Sequence, residues 1–426
     1  MTDYLAFPPA REVSGTVAAP PSKSSTNRAL VLAALQEEAV EIVRPLESED
    51  TRALGRCLAA MGATLEPVPQ GLRVGGPLAG PADRDVTLDA GESGTAARFL
   101  TAVASATPGQ FLLTGSARLR ERPVAELVVA LRSAGASIEY AGAEGYLPVA
   151  ISGGSLRSGR TAVDASRSSQ FLSALLLAAP AVRGGLEVVS EAGLASAPYV
   201  EATLECLRAF GHDVSGDPSE GIRVTRGARP VQRYVVPGDY SSALPLLAAA
   251  GAAGGRVTVT GLVFPSADAD ARALPVLERM GLKVEGTDGA VSVRARREDL
   301  RPVAVVATEF PDAVPGLVAL ACLARGESRF EGIAHLRLKE SDRISALAAL
   351  LTAAGATATA LDGSLVVVGP ASPRAAAVRL PTFGDHRIVM AAALLSLALP
   401  GHLIESPDCV SKSYPEFFRD LATIVA

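Results

Sequence analysis

Ser241–Ala252 reads SSALPLLAAAGA, a polar turn followed by a segment without a single charge. A helix with no polar stripe is apolar on nearly every face and has to be buried on all sides. The pattern of polar turn, helix without charge in its interior, Gly and β-branched strand is not confined to this place. It returns as SSTNRALVLAAL, SGTAARFLTAVA, SSQFLSALLLAA, PDAVPGLVALACLA and GDHRIVMAAALLSLAL. Aligning Ser25, Gly94, Ser169, Ser242, Asp312 and Asp385 spaces the six copies by 69 to 75 residues, the mark of an internal repeat. Gly62, Gly135, Gly211, Gly281 and Gly355 form a second series, spaced by 70 to 76 residues. Each closes a more amphipathic helix, such as VAELVVALRSAG, and stands before an alternating strand. Such a glycine reads as a helix C-cap with positive φ.

Each unit therefore reads as helix, strand, helix and a hairpin around a turn such as Asp288-Gly289 or Asp362-Gly363. This predicts an α/β chain of six units in two domains. Units one to three occupy residues 21–236, and units four to six occupy 237–426 together with 1–20. The sixth unit has no closing hairpin, and the spare strand Glu12–Ala18 is expected to complete it. Crossovers fall near Pro20-Pro21 and over Arg229–Pro237, so a hinged cleft between the halves is the expected ligand site.

Composition narrows the partners. With 426 residues, 48% of them hydrophobic, the chain exceeds what one core usually serves. Trp is absent and aromatics make up 4%, so the core must be Ala, Leu and Val. A net charge of -5 argues against bulk nucleic-acid binding and leaves room for a local basic pocket. Apolar runs such as Ala174–Val182 fall short of the roughly 18–20 residues of a membrane span. MTDYLAFPPAREV has no basic segment leading into an apolar one, so no signal peptide is expected. Cys57, Cys206, Cys322 and Cys409 lie far apart and read as thiols of a cytoplasmic protein. His212, His335, His386 and His402 show no metal-binding spacing, so no protein-bound metal is expected.

The polar turns open buried helices, where unpaired N–H groups and the helix dipole favour anions. Ser24, Thr95, Ser168, Ser169, Ser241 and Ser242 read first as N-caps. Cations stand in the same turns, against the dipole: Lys23 and Arg28 in PSKSSTNR, Lys339 and Arg343 in LKESDRI, Arg387 in GDHRI. Three such turns in one chain point to anionic ligands held by helix termini together with Lys and Arg. No turn has the spacing of a Walker-type nucleotide loop, and GESGT at Gly91–Thr95 lacks the dinucleotide fingerprint. Asp312, between Pro311 and an all-apolar helix, is placed either to cap or to act as a base. LRLKESDRI, Leu336–Ile344, gathers Lys339, Glu340, Asp342 and Arg343 between apolar flanks.

The stretches PSKSSTNRA, GESGTAAR, RERPV, SSQFLSALL, ASAPY, PDA, LRLKESDRI, GDHR and VSKSYPEFF, in this order, resemble the 5-enolpyruvylshikimate 3-phosphate synthase family of enolpyruvyl transferases. The resemblance covers essentially the whole chain. It implies two inside-out α/β barrels, each of three βαβαββ units around buried helices. It implies transfer of the enolpyruvyl group of phosphoenolpyruvate to the 5-hydroxyl of shikimate 3-phosphate, without a cofactor; the protein is expected to be a monomer. Shikimate 3-phosphate would contact Lys23, Ser24, Arg28, Ser168, Ser169, Gln170, Ser196, Asp312 and Lys339, with Tyr199 close by. Phosphoenolpyruvate would be held by Lys23, Gly94, Arg122, Gln170, Arg343, Arg387 and Lys412. Arg122 and Lys412 carry no signal of their own beyond the resemblance. Asp312 would be the base and Glu340 the acid at C3, with Lys23 sharing the proton traffic. His335 stands where family members often carry Asn or Glu, and Glu92 and Ser93 stand where Asn and Ala also occur.

Two rivals are weighed against this. The sister transferase acting on UDP-N-acetylglucosamine usually carries a reactive Cys in the loop matching Thr114–Arg122, which here reads TGSARLRER. A non-catalytic repeat scaffold would explain the repeats and not the cations set against helix dipoles.

Overall fold

The computed structural model describes residues 4–80, 85–371 and 377–425. The chain divides into two compact units, Pro21–Val236 and Met1–Pro20 with Pro237–Ala426. Each is built around three helices with almost no solvent-facing surface. In the first unit these are Lys23–Ala34, Gly94–Ala106 and Ser169–Ala178, which pack on one another. In the second they are Tyr240–Ala253, Val314–Leu323 and His386–Ala398. Every residue of Tyr240–Ala253 and of Val314–Leu323 is buried, as the charge-free sequences require. Each buried Leu or Val contributes about 1.5–3 kcal/mol through the apolar area it removes from water.

Small sheets wrap these helices, one per repeat. In the second repeat, Asp85–Asp89 runs parallel to Gly109–Thr114, with Val86 beside Phe111. Val149–Gly153 and Ser137–Tyr140 then follow antiparallel, with Phe111 facing Ile151 and Ile138 facing Ile151 from the other side. The buried helix lies between the two parallel strands in sequence, the connection that parallel pairing demands. The third and fifth repeats use the same order. The amphipathic helices end as expected: Gly62, Gly135, Gly211, Gly281 and Gly355 have φ between 79° and 102°.

The N-terminal strand departs from expectation. Val13–Ala18 does not complete the sixth unit; it pairs parallel with Gly255–Thr260 of the fourth, with Val13 beside Gly255 and Ala18 beside Thr260. The sixth sheet is closed instead by Tyr4–Ala6, antiparallel to His402–Glu405. Conversely, Arg233–Val235 in the second crossover pairs with Val40–Val43 of the first repeat. The reason is that a strand preceding a crossover stays in the unit it leaves. Val13–Ala18 precedes the first buried helix yet joins the sheet over the fourth, and Arg233–Val235 does the reverse.

Candidate active site

In the Pro21–Val236 unit the three buried helices bring their N-terminal ends together. Gln170 Nε2 in the first turn of Ser169–Ala178 donates to Thr95 Oγ1 in the first turn of Gly94–Ala106, at 3.1 Å. Arg28, one turn into Lys23–Ala34, lies over the Phe99 ring at 5.5 Å. Its guanidinium is oriented by three neutral oxygens: Thr203 Oγ1 at 2.8 Å, the Ser24 carbonyl at 3.0 Å and the Tyr199 carbonyl at 2.9 Å. Lys23, the first helical residue, reaches Asp50 Oδ2 at 3.0 Å. Ser168 caps its helix through the Gln170 N–H, and Ser169 is buried beside it. Ser196 adopts φ 53° before the helix Ala197–Ala209, which begins two residues ahead of Tyr199 and carries Pro198 in its first turn.

Arg122 is buried directly against the opening of the second helix. A Cβ on Gly94 would lie 2.5 Å from its Nη2 and 2.6 Å from its Cζ, so only a glycine lets the guanidinium rest on that backbone. Arg98 braces the arrangement, donating to the Gly94 carbonyl at 3.3 Å and the Pro123 carbonyl at 2.6 Å.

In the other unit the center is Arg343, the first residue of the helix Arg343–Ala353 and 1% exposed. Its Nη1 donates to Asp312 at 2.8 Å and its Nη2 to Glu340 at 2.9 Å. Its Nε donates to Asp385 at 2.8 Å. Asp312 also has Lys339 Nζ at 3.9 Å and Arg387 Nη2 at 3.8 Å. Burial pushes the Asp312 carboxyl up, but Lys339, Arg343 and Arg387 together hold it far below the usual carboxylate range. Arg387 donates to the Ser241 carbonyl at 2.6 Å and to its hydroxyl, while that hydroxyl donates to Asp239. Lys412 ends the turn Pro407–Lys412 and is 3% exposed. His335 is pushed down to about 4, first by burial and then by Lys339, and its Nε2 is buried without a hydrogen bond.

The N-caps are not the expected set. Ser168 is a cap, but the helices Lys23–Ala34, Gly94–Ala106 and Tyr240–Ala253 are capped by Ser22, Ser93 and Asp239, two or three residues before the expected ones, and Asp385 caps His386–Ala398. Ser24, Thr95, Ser169, Ser241 and Ser242 instead stand inside the first turn. Asp312 does not cap either; its carboxylate is turned to the guanidinium of Arg343. No three His, Cys, Asp or Glu side chains cluster as a metal would need, among the described residues. Nor is any helix among them long and apolar enough to cross a membrane.

Residues 8–421 match the family described as EPSP synthase (3-phosphoshikimate 1-carboxyvinyltransferase). The chain is 41% identical over 412 residues to the 3-phosphoshikimate 1-carboxyvinyltransferase of Methanoculleus marisnigri, covering 96% of each chain. It is 40% identical to that of Pyrococcus abyssi, over 97% of this chain and 96% of the other. The chain belongs to the EPSP synthase family. A solved EPSP synthase from Acinetobacter baumannii superposes with a TM-score of 0.80 at 27% identity, over 99% of this chain and 98% of that one. The enolpyruvyl transferase NikO from Streptomyces tendae shares the fold, with a TM-score of 0.74 at 21% identity over 97% and 95%.

Within this EPSP synthase fold, the sequence reading passes over Asp50, Arg98, Thr203, Asp239 and Asp385 as parts of the site. Asp50 follows Ser48 in a capping box and reads as an acidic first turn. Asp385 enters the sequence reading only as an alignment point of the repeat, although its place in GDHRI two residues before Arg387 is a signal.

Proposed function

We infer that the chain transfers the enolpyruvyl group of phosphoenolpyruvate to the 5-hydroxyl of shikimate 3-phosphate and releases phosphate, a step of aromatic amino acid biosynthesis. The observation that carries the reading is the joining of Asp312 and Glu340 through one guanidinium, in a chain whose residues 8–421 match the family. The hydroxyl is a poor nucleophile, and C2 of the donor becomes electrophilic only as C3 is protonated. Asp312 takes the hydroxyl proton while Glu340 gives one to C3, and the oxygen bonds to C2. The resulting tetrahedral intermediate then returns a methyl proton and loses phosphate, restoring the double bond. Lys23, held by Asp50, shares this proton traffic.

The acceptor is assigned to Lys23, Ser24, Arg28, Ser168, Ser169, Gln170, Ser196 and Tyr199, with Asp312 and Lys339. The donor is assigned to Lys23, Gly94, Arg122, Gln170, Arg343, Arg387 and Lys412. Cations on phosphate and carboxylate orient the reactants and stabilise the leaving group. Shikimate 3-phosphate is favoured over UDP-N-acetylglucosamine because the Thr114–Arg122 segment lacks a thiol. Burial also pushes Cys57, Cys206 and Cys322 up to about 12, far from reactive thiolates. Cysteines set far apart with no CxxC pair support a cytoplasmic setting, and the enzyme is read as a monomer. The test is phosphate release from phosphoenolpyruvate with each acceptor in turn. Release with shikimate 3-phosphate alone is expected; release with the UDP-sugar alone would overturn the assignment.

A further inference from the structure

A cavity of about 500 Å³ opens in the Pro21–Val236 unit, within the size range of small-molecule pockets. None of the residues assigned to either substrate lines it. Thr26 and Leu30, four residues apart, supply one wall from the helix Lys23–Ala34. Thr51, Gly55 and Ala59, at the same spacing, supply another from the helix Glu49–Ala60. Leu65 and Leu72 close it from the paired strands Thr64–Val68 and Gly71–Gly75. A glycine inside a helix is destabilising, yet here it keeps the space open. A Cβ on Gly55 would lie 3.2 Å from Leu65 Cδ2, so any longer side chain enters the cavity.

The interior and the mouth ask for different chemistry. The two hydroxyls lining the cavity each already donate and accept. Thr26 Oγ1 donates to the Ser22 carbonyl at 2.7 Å and accepts from the Leu46 N–H at 3.0 Å. Thr51 Oγ1 donates to the Leu46 carbonyl at 2.7 Å and accepts from the Ser48 N–H at 3.0 Å. A ligand therefore meets an apolar interior. At the mouth Arg52 and Arg56, one turn apart on one helix, stand exposed with Glu47. The Arg52–Glu47 pair spans 3.4 Å with side chains 59% and 79% exposed, too solvated to resist a competing carboxylate. Two guanidinium groups against one carboxylate leave positive charge over an apolar space. We propose that the cavity binds a small apolar monocarboxylate, its hydrocarbon body inside and its carboxylate on Arg52 and Arg56, and that its occupation loosens the Lys23–Asp50 pair.

The coupling follows from shared walls. Lys23 opens the helix that carries Thr26, and Asp50 directly precedes Thr51 on the other. The pair itself closes at 3.0 Å with side chains 13% and 5% exposed. The backbone of Leu46 ties the two helices together, giving its N–H to Thr26 and its carbonyl to Thr51. An occupant that shifts either helix pulls on this tie and on the pair beside it. At 3.0 Å the pair is near its optimum, so displacement weakens it. Carboxylate binding and substrate binding then oppose each other. That consequence rests on the functional reading above, which places both substrates on Lys23.

The test uses 2-naphthoate as the probe, 2-naphthamide as its uncharged counterpart, and the full chain labelled at its leucine methyl groups for NMR. Naphthoate should shift the Leu65 and Leu72 methyl signals and saturate at one molecule per chain, with the amide binding about tenfold more weakly. Arg56→Gln, a change at the surface, should also weaken naphthoate about tenfold and leave kcat unchanged. Gly55→Leu should fill the cavity and abolish the shifts; Arg56→Gln keeps the test decisive if that variant folds poorly. With shikimate 3-phosphate saturating, naphthoate should bind about fivefold more weakly, and naphthoate should weaken shikimate 3-phosphate by the same factor. Absence of saturable shifts at Leu65 and Leu72 overturns the site, as does equal binding of the amide. Naphthoate affinity unchanged by bound shikimate 3-phosphate overturns the coupling. A chain that does not bind shikimate 3-phosphate would sink the functional reading instead, while the naphthoate titration still decides the site.

Discussion

The two units hold their central guanidinium groups by opposite means, although Lys23 in the first also pairs with Asp50 and Arg387 in the second also donates to Ser241. In Pro21–Val236, Arg28 and Arg98 are aimed by hydroxyl and carbonyl oxygens. In the other unit Arg343 is aimed by three carboxylates. Neutral acceptors fix a guanidinium without cancelling its charge, whereas carboxylates cancel it and become chemically coupled to it. The first arrangement suits lasting attraction of a phosphate. The second suits proton transfer, because anything that claims the cation changes the proton affinity of its carboxylates. On this view one unit chiefly binds and the other chiefly reacts.

The strongest way to break the contrast is to remove the carboxylates' protons while keeping their shape. Asp312→Asn and Glu340→Gln should each lower kcat by roughly 10²–10⁴ while acceptor affinity changes far less. Deuterium wash-in at the donor methylene separates them: Glu340→Gln should suppress it, since protonation at C3 is what exposes those hydrogens to solvent. Near-normal turnover and wash-in in Glu340→Gln would move the acid role to Lys23.

The complementary change in the binding unit should leave chemistry nearly intact. Arg28→Gln removes a buried charge and the donors to Thr203 and Tyr199, so acceptor KM should rise about 100-fold, with kcat falling much less. Steady-state kinetics at saturating donor reads this directly. A loss confined to kcat would place Arg28 in the chemistry and erase the contrast.

Gly94 offers a smaller and sharper probe. The Arg122 guanidinium lies where a Cβ would be, and it is the far end of a flexible side chain. Gly94→Ala should therefore cost little folding stability but shift the guanidinium by about 1 Å. Donor KM should rise about tenfold with the melting temperature unchanged. A rise in acceptor KM alone would mean that Arg122 faces the other substrate.

How far the sequence reveals this differs by feature. The six buried helices are legible because burial on every side erases the polar stripe, and the C-cap glycines because only a positive φ demands them. Pairing of Val13–Ala18 is not legible. The segment VSGTVA fits any half-buried sheet edge, and its partner Gly255–Thr260 lies far along the chain. Lys23, Arg343 and Arg387 stand out by position, as cations in helix first turns. Asp50, Asp385 and Thr203 do not, because each reads as part of a cap, an alignment point of the repeat or a core hydroxyl until its partner is placed. Arg122 and Lys412 follow short turns with no periodicity to mark them, and only the collinear resemblance draws them in.

The mildest expected effect compares a histidine from each unit. His212 in Pro21–Val236 and His335 in the other unit are both pushed down to about 4, by burial first. Arg226 adds to the effect at His212 against Asp213; Lys339 and Arg343 add to it at His335 against Asp312. In the unfolded chain each titrates near 6.5. The folded form stays neutral while the unfolded form gains a proton, so this stability is complete above pH 6.5. It is lost as the pH falls from 6.5 toward 4, and falls no further below that. Each residue should account for about 1–2 kcal/mol over the window, discounted for partial solvent access. Urea unfolding of His212→Asn and His335→Asn at pH 7 and 4.5 should show a smaller acid loss than the native chain. The two then diverge with ligand. Shikimate 3-phosphate brings negative charge to the unit of Lys339 and Arg343, which favours a protonated His335 and should flatten its acid dependence. His212, bonded through Nδ1 to the Gly227 N–H and surrounded by Arg226 and Asp213, has no reason to respond. Equal relief at both positions would mean that the acid response is a property of the whole fold, and the division between binding and reacting units would lose this support.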